Sequence, residues 1–148
     1  IIRGNASEIM ALAGYSSVTK GPESTSSSAD ALHAARELAL HTGAAVLVTG
    51  RTDYSTDGRQ VTATENGHAM MSRVTGVGCS MGALSAACAA VSPTPLQAAV
   101  STAVLMGIAG EMAFEQSPFP GSFAVSLLDS LYALSPEDVV RRARFLSL

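Results

Sequence analysis

The stretch from Val74 to Gly110 contains no Asp, Glu, Lys, Arg or His, and no other feature restricts the possible folds as much. A segment that long without charge must lie in a bilayer or in a protein core. Ser92-Pro93-Thr94-Pro95 cuts it in two, however, and Ala, Gly and Ser are frequent on both sides of the cut. Small residues at this density suit helices packed closely in a core, whereas a membrane span would show a longer run of Leu, Ile and Phe. Two buried helices are therefore expected, and no membrane partner.

Elsewhere the chain is also poor in charge. Of its 148 residues 47% are hydrophobic and 14% charged, against about 25% charged in an ordinary soluble domain. That excludes a disordered tail. It also leaves too little polar surface to cover one domain, so part of the exterior is expected to meet more protein, as in an oligomer subunit or a piece of a larger fold. Nine Lys and Arg with a net charge of −3 provide no basic surface for a nucleic acid. Ile1-Ile2-Arg3-Gly4 has no initiator Met and no cleavable leader, and reads as the end of a buried strand, which suggests that sequence precedes it. Cys79 and Cys88 would lie on opposite faces of one helix, about 13 Å apart along its axis, too far to pair. Two unpaired thiols fit a reducing cytoplasm.

Helix and apolar strand alternate in the first half. Asn5 to Ala13 reads as a helix with Asn5 as N-cap and Glu8 in capping-box position, ended by Gly14. A polar loop from Lys20 to Ser28 leads to a helix over Ala29–Thr42, stopped by Gly43. Ala44 to Val48 has the pattern of a parallel strand buried on both faces, ending in Thr49-Gly50. Asp53–Thr56 and Gln60–Thr64 flank the turn dipeptide Asp57-Gly58, and His68–Val74 reads as a further strand. Gly76-Val77-Gly78 is expected to be a flexible loop, followed by helices over Cys79–Val91, Pro95–Glu115 and Ser122–Leu134. A last helix starts at Ser135-Pro136-Glu137-Asp138 with an N-cap, a proline and two acids in its first turn.

Two places can carry chemistry. The glycine loop Val74 to Gly82 runs into a helix start, where free amides and the helix dipole stabilise a phosphate; alternatively it is a plain turn needing positive φ at Gly76 and Gly78. No Gly-Lys-Ser/Thr follows, so Walker-type nucleotide binding is out. Gly76-x-Gly78-x-x-x-Gly82 is loosely like a dinucleotide fingerprint, but no acid follows before Glu111 to hold a ribose. An NADP-binding oxidoreductase segment stays open, because a 2′-phosphate tolerates that absence. The second place is Arg3-Gly4-Asn5-Ala6-Ser7-Glu8, at a strand end where α/β sheets bind ligands. Asn5 and Glu8 there either orient magnesium-bound water or form a capping box beside a surface Arg.

Taken together, Arg-Gly-Asn-Ala-Ser-Glu at 3–8, Val-Thr-Gly at 48–50 with Asp53-Tyr54 and Thr56-Asp57-Gly58, Asn66-Gly67-His68, Val-Thr-Gly-Val-Gly-Cys at 74–79 and Pro-Gly-Ser-Phe at 120–123 resemble the hydroxyethylthiazole kinase family in order and spacing. Each motif alone is weak; five in register across nearly the whole chain are specific. The resemblance implies a ribokinase-like three-layer α/β/α fold with a mostly parallel central sheet. It implies a trimer with sites at subunit interfaces, and transfer of the ATP γ-phosphate to 4-methyl-5-(2-hydroxyethyl)thiazole in thiamine salvage. Residues 1–148 would be the C-terminal part of a single kinase domain. The N-terminal strands, a share of the thiazole pocket and an acidic Asp-Pro segment near magnesium would lie outside it, so this chain alone is expected to be inactive.

Carried over by position, the resemblance implies that Arg3 and Thr49 contact ATP and that Gly76 contacts the thiazole. Asn5 and Glu8 match an Asn-x-x-Glu element near magnesium and phosphate, and Gly76 to Cys79, Gly78 included, would form the anion hole. Cys79 stands where most ribokinase-like enzymes carry an Asp base. It is expected to act as base or to position the hydroxyl, the alternative being a buried inert thiol. His68 is expected to be structural, Lys20 a solvated loop residue, and Met70, Met71, Met81, Met106 and Cys88 packing residues. Pro22-Glu23 replaces the usual Val-Asp, and Phe119 a common Gly; both are loop changes unrelated to chemistry. A non-catalytic subunit that only supports a trimer is a further reading.

Overall fold

The apolar run at 45–48 is buried on both sides because it is the seam between two cores. Ala45 and Leu47 belong to one cluster and Val46 and Val48 to the other, as alternation along a strand requires. The computed structural model describes residues 1–15 and 28–148. Strand β1 (Ile2–Asn5) runs into helix α1 (Ala6–Leu12), and helix α2 (Ser28–Thr42) leads to β2 (Val46–Thr49). Strands β3 (Asp53–Thr56) and β4 (Val61–Thr64) are followed by a 3-10 helix (Ala69–Arg73). Then come α3 (Val77–Val91), α4 (Pro95–Gln116), α5 (Pro120–Ala133), α6 (Pro136–Arg142) and a short β5 (Phe145–Ser147). Helices α1 and α2 cover the Val46 face, and α3, α4 and α5 the Ala45 face, so the fold is α/β in three layers.

Sheet order is β1-β2-β3-β4-β5. Only β1 and β2 pair in parallel; the other three pairings are antiparallel. Among the described residues the sheet is therefore mixed, not mostly parallel. Connection length explains it: α1 and α2 lie between β1 and β2, whereas Gly50 to Thr52 and Asp57 to Gln60 are too short for a parallel crossover. The latter loop closes on its own side chains. Asp57 Oδ1 accepts from the amides of Arg59 and Gln60 at 2.9 and 2.8 Å, and Gly58 takes φ +92°.

Three expectations are corrected. Residues 69–73 form a 3-10 helix rather than a strand, started by His68, whose Nδ1 accepts from the Met70 amide at 3.1 Å. The helix expected from Cys79 begins at Val77, so Gly78 lies in its first turn rather than in a loop. Residues 145–147, within a region read as helical, add an exposed edge strand to β4. The loop over 20–28 lies almost wholly outside the described residues, Lys20 and Pro22-Glu23 included.

The uncharged run becomes α3 and α4, with the break at Ser92 to Thr94 between them. Helix α4 is long and apolar enough to cross a membrane by length and composition, and 61% of that stretch is buried inside the fold. Ala98, Ala99, Ala103, Ala109 and Ala113 are fully buried along it. Its small side chains let the helix lie close to the sheet and to α3 and α5.

Candidate active site

Two parallel strands end at the same edge of a sheet, and here β1 and β2 end beside each other with Asn5 opposite Thr49. The chain leaves β1 into α1 and β2 into a tight turn, which opens a cleft of about 830 Å3 above the sheet. Arg3, Thr49, Arg51 and Asp53 line it around the ends of β1 and β2 and the start of β3; Asn66, Gly67, His68 and Met71, from the segment after β4, form a second wall. Val77, Gly78 and Met81 of α3 and Met106 and Gly107 of α4 complete it.

The start of α3 provides the anion chemistry. Gly76 is its N-cap, at φ +96°, a conformation that disfavours any side chain, and no side chain caps the helix. The Ser80 amide makes the first helical bond, to Gly76 O at 2.9 Å. The amides of Val77, Gly78 and Cys79 precede that bond, so no carbonyl within the helix can accept from them. Gly78 does not have positive φ, which corrects the simple-turn expectation there. The guanidinium of Arg3 lies along this helix start: a Cβ at Gly78 would stand 4.0 Å, and one at Gly82 3.9 Å, from its Nη atoms. A cation beside the positive end of a helix favours an anion between them.

Asp53 belongs to the same cleft. Its Oδ1 accepts from the Gly50 amide at 2.9 Å, pinning the turn that follows Thr49. Burial pushes its pKa up to about 6, opposed by the Gly50 hydrogen bond and by the charge of Arg3.

Arg3, Thr49 and Gly78 are thus brought together, while Asn5, Glu8, Gly76 and Cys79 lie outside the residues that line the cleft. Asn5 and Glu8 form the capping box: Asn5 Oδ1 accepts from the Glu8 amide at 3.0 Å, and Glu8 Oε2 from the Asn5 amide at 2.7 Å. Both residues are exposed. Cys79 is free and exposed in the first turn of α3, so it is not the buried inert thiol; Cys88, two and a half turns on, is buried. Among the described residues no three His, Cys, Asp or Glu side chains are grouped to hold a metal. The loose dinucleotide fingerprint fails on context, since a 3-10 helix rather than a strand precedes the glycine loop.

Sequence reasoning missed Asp53, Asn66 and His68 as cleft residues. Asp53 had a legible signal, an acid three residues after the glycine of a strand-ending turn. His68 stacks on Phe114, with ring centroids 3.6 Å apart, and a partner so distant in sequence gives no local signal. Met71, Met81 and Met106 both pack in the core region and face the cleft.

Residues 1–137 match the model of the hydroxyethylthiazole kinase family. The whole chain is 99% identical over 148 residues to a hydroxyethylthiazole kinase from Akkermansia muciniphila, covering 55% of that protein. It is 54% identical over 134 residues to one from Granulibacter bethesdensis, covering 90% of this chain and 49% of the relative. The solved structure of hydroxyethylthiazole kinase from Pyrococcus horikoshii is similar with a TM-score of 0.85 at 38% identity, over 99% of this chain and 54% of that one. The chain spans about half the length of the relatives it matches. With the family model covering nearly all of it and the five sequence motifs in place, the chain belongs to the hydroxyethylthiazole kinase family.

Proposed function

We propose that the full-length protein containing this chain transfers the γ-phosphate of ATP to the hydroxyl of 4-methyl-5-(2-hydroxyethyl)thiazole, in thiamine salvage. The observation that carries this is the Arg3 guanidinium lying along the uncapped first turn of α3, in one cleft with Thr49. In such a transfer the protein does little covalent chemistry; it positions the reactants and stabilises charge on the phosphoryl oxygens. Arg3 and Thr49 hold the ATP phosphates, and the amides of the Gly76–Cys79 turn receive the negative charge that develops during transfer. Gly76 contacts the thiazole. Cys79 takes the proton of the acceptor hydroxyl, or orients it, as that oxygen bonds to the γ-phosphorus and ADP leaves.

Magnesium is the expected metal. Asn5 Oδ1 is taken by the Glu8 amide and Ser7 Oγ, and Glu8 Oε2 by the Asn5 amide, so the capping box leaves the second oxygen of the exposed Glu8 carboxylate for an ion at the sheet edge. That donor fits an ion held through water and shared with the ATP phosphates. When bound, the ion would neutralise charge on the β- and γ-phosphates. Residues 1–148 form the C-terminal part of a single ribokinase-like domain, working as a cytoplasmic homotrimer with sites at subunit interfaces, and the chain alone is inactive.

The test is release of ADP by the purified full-length protein, with the thiazole alcohol as acceptor, in a coupled assay. Cys79→Ala should lower turnover at least about 100-fold, the usual contribution of a positioned base, with ATP affinity nearly unchanged. Unchanged turnover would remove Cys79 from the chemistry, and a wild-type protein that releases no ADP would end the kinase reading.

A further inference from the structure

One face of α4 matches the Asn66–Met71 wall of the cleft residue by residue. Gly107, Gly110, Glu111 and Phe114 recur at helical spacing and therefore share a face. A Cβ on Gly107 would stand 2.5 Å from Asn66 Cβ and 2.7 Å from its backbone carbon, so that position needs glycine for the wall to sit where it does, whereas one on Gly110 would meet only the flexible Met71 side chain, 2.4 Å from its Sδ. Phe114 stacks on His68. Glu111 makes the polar attachment: its Oε1 accepts from Asn66 Nδ2 at 3.2 Å and from the Gly67 amide at 2.8 Å.

Glu111 is itself fixed by Arg144, which donates to both of its carboxylate oxygens and to Glu65 O. Asn66 is buried and uses its whole amide, since Nδ2 also donates to Arg142 O at 2.9 Å and Oδ1 accepts from the Arg144 amide at 2.7 Å. A wall segment with Gly67 at φ +127° is thereby fastened to α4 and to the α6–β5 junction. Hydrogen bonds to a charged acceptor are the stronger kind, and Glu111 holds two of them on this wall.

We propose that Glu111 is a positioning residue for the nucleotide: through Asn66 and the Gly67 amide it holds the Asn66–Met71 wall at the distance that bound ATP requires. The proposal rests on the kinase reading for its ligand. Arg3 and Thr49 line the same cleft as this wall, whereas Gly76 and Cys79, on the acceptor side, do not. Loss of Glu111 should therefore weaken ATP binding in ground and transition states alike, which raises KM and spares kcat.

The test uses the full-length enzyme. Glu111→Ala should raise KM for ATP about tenfold, with kcat and the KM of the thiazole alcohol changed less than about threefold. Glu111→Gln keeps the Oε1 acceptor and should return KM for ATP to within about threefold of wild type, because the half-exposed Arg144 can swing away from the new amide. A folded Glu111→Ala with wild-type KM for ATP overturns the proposal. So does an equal rise in both KM values, or a Glu111→Gln as impaired as Glu111→Ala. If Glu111→Ala does not fold, Arg144→Ala, which loosens the carboxylate without removing it, should raise KM for ATP about threefold; no rise overturns the proposal. If the wild-type enzyme shows no kinase activity, the functional reading fails separately. Hydrogen exchange then decides: faster exchange at 66–71 in Glu111→Ala, restored in Glu111→Gln, supports the positioning role, and unchanged exchange overturns it.

Discussion

Asp53 shows how one residue can be held in an unfavourable state by its place in the cleft. Its pKa rises from the ordinary 3.8 to about 6, because burial penalises the charged carboxylate more than Gly50 and Arg3 stabilise it. A carboxyl that holds its proton more tightly when folded costs stability as pH rises from about 4 through about 6, and above that the full penalty applies. Asp53→Asn keeps an acceptor for the Gly50 amide and removes the charge. The variant should gain on the order of 2 kcal/mol over wild type at pH 7.5 and almost nothing at pH 4, measured by urea unfolding at both. An equal gain at both pH values would show that burial of the charge is not the cause. Asp53 was visible in the sequence as part of a motif, but its charge cost depends on β4 and Arg3 folding around it, which no local pattern records. The Asn5 and Glu8 capping box was legible because its partners are three residues apart.

Helix starts were legible to different degrees for a related reason. Asn5, Thr94 and Ser135 cap α1, α4 and α6 through their own side chains, and residue type at one position announces each of them. Helix α3 starts at a glycine with no side-chain cap, so the sequence showed a loop, and the true first residue was set by where Gly76 turns. Gly76→Ala would force φ +96° on a side chain. It should cost about 1–2 kcal/mol, visible as a lower midpoint in thermal unfolding. If the start of α3 also holds phosphate, the variant should bind ADP more weakly; a variant as stable as wild type would mean that the turn relaxes elsewhere. The segment 69–73 departs from the expected strand because its 3-10 turn depends on His68, which stacks on Phe114 of α4. Strand β5 depends on pairing with β4, more than 80 residues back in sequence.

At the scale of the whole molecule, the shortage of charge leaves an apolar surface. Val125, Leu128 and Tyr132 of α5 are exposed on one helix face, Tyr132 at 95%. A second copy of the chain covering this face would account for it. The full-length protein should sediment as a trimer at micromolar concentration, and Tyr132→Lys combined with Leu128→Lys should shift it toward monomer. A wild-type monomer would mean that other parts of the same polypeptide cover this face.

The sequence by itself determined the α/β class, the helices on both sides of β2, the hairpin, the buried pair α3 and α4, and the family, because periodicity, caps and contiguous motifs all act within a few residues of chain. Only the tertiary structure decided that the sheet is mixed, that Arg3 lies against Gly78 and Gly82, that Asp53 carries a partly buried charge, and that α4 holds the Asn66–Met71 wall of the cleft. Each of these depends on groups brought together from distant parts of the chain, and their energies come from burial and from charge in a shared low-dielectric space. Neither quantity exists until the layers have packed.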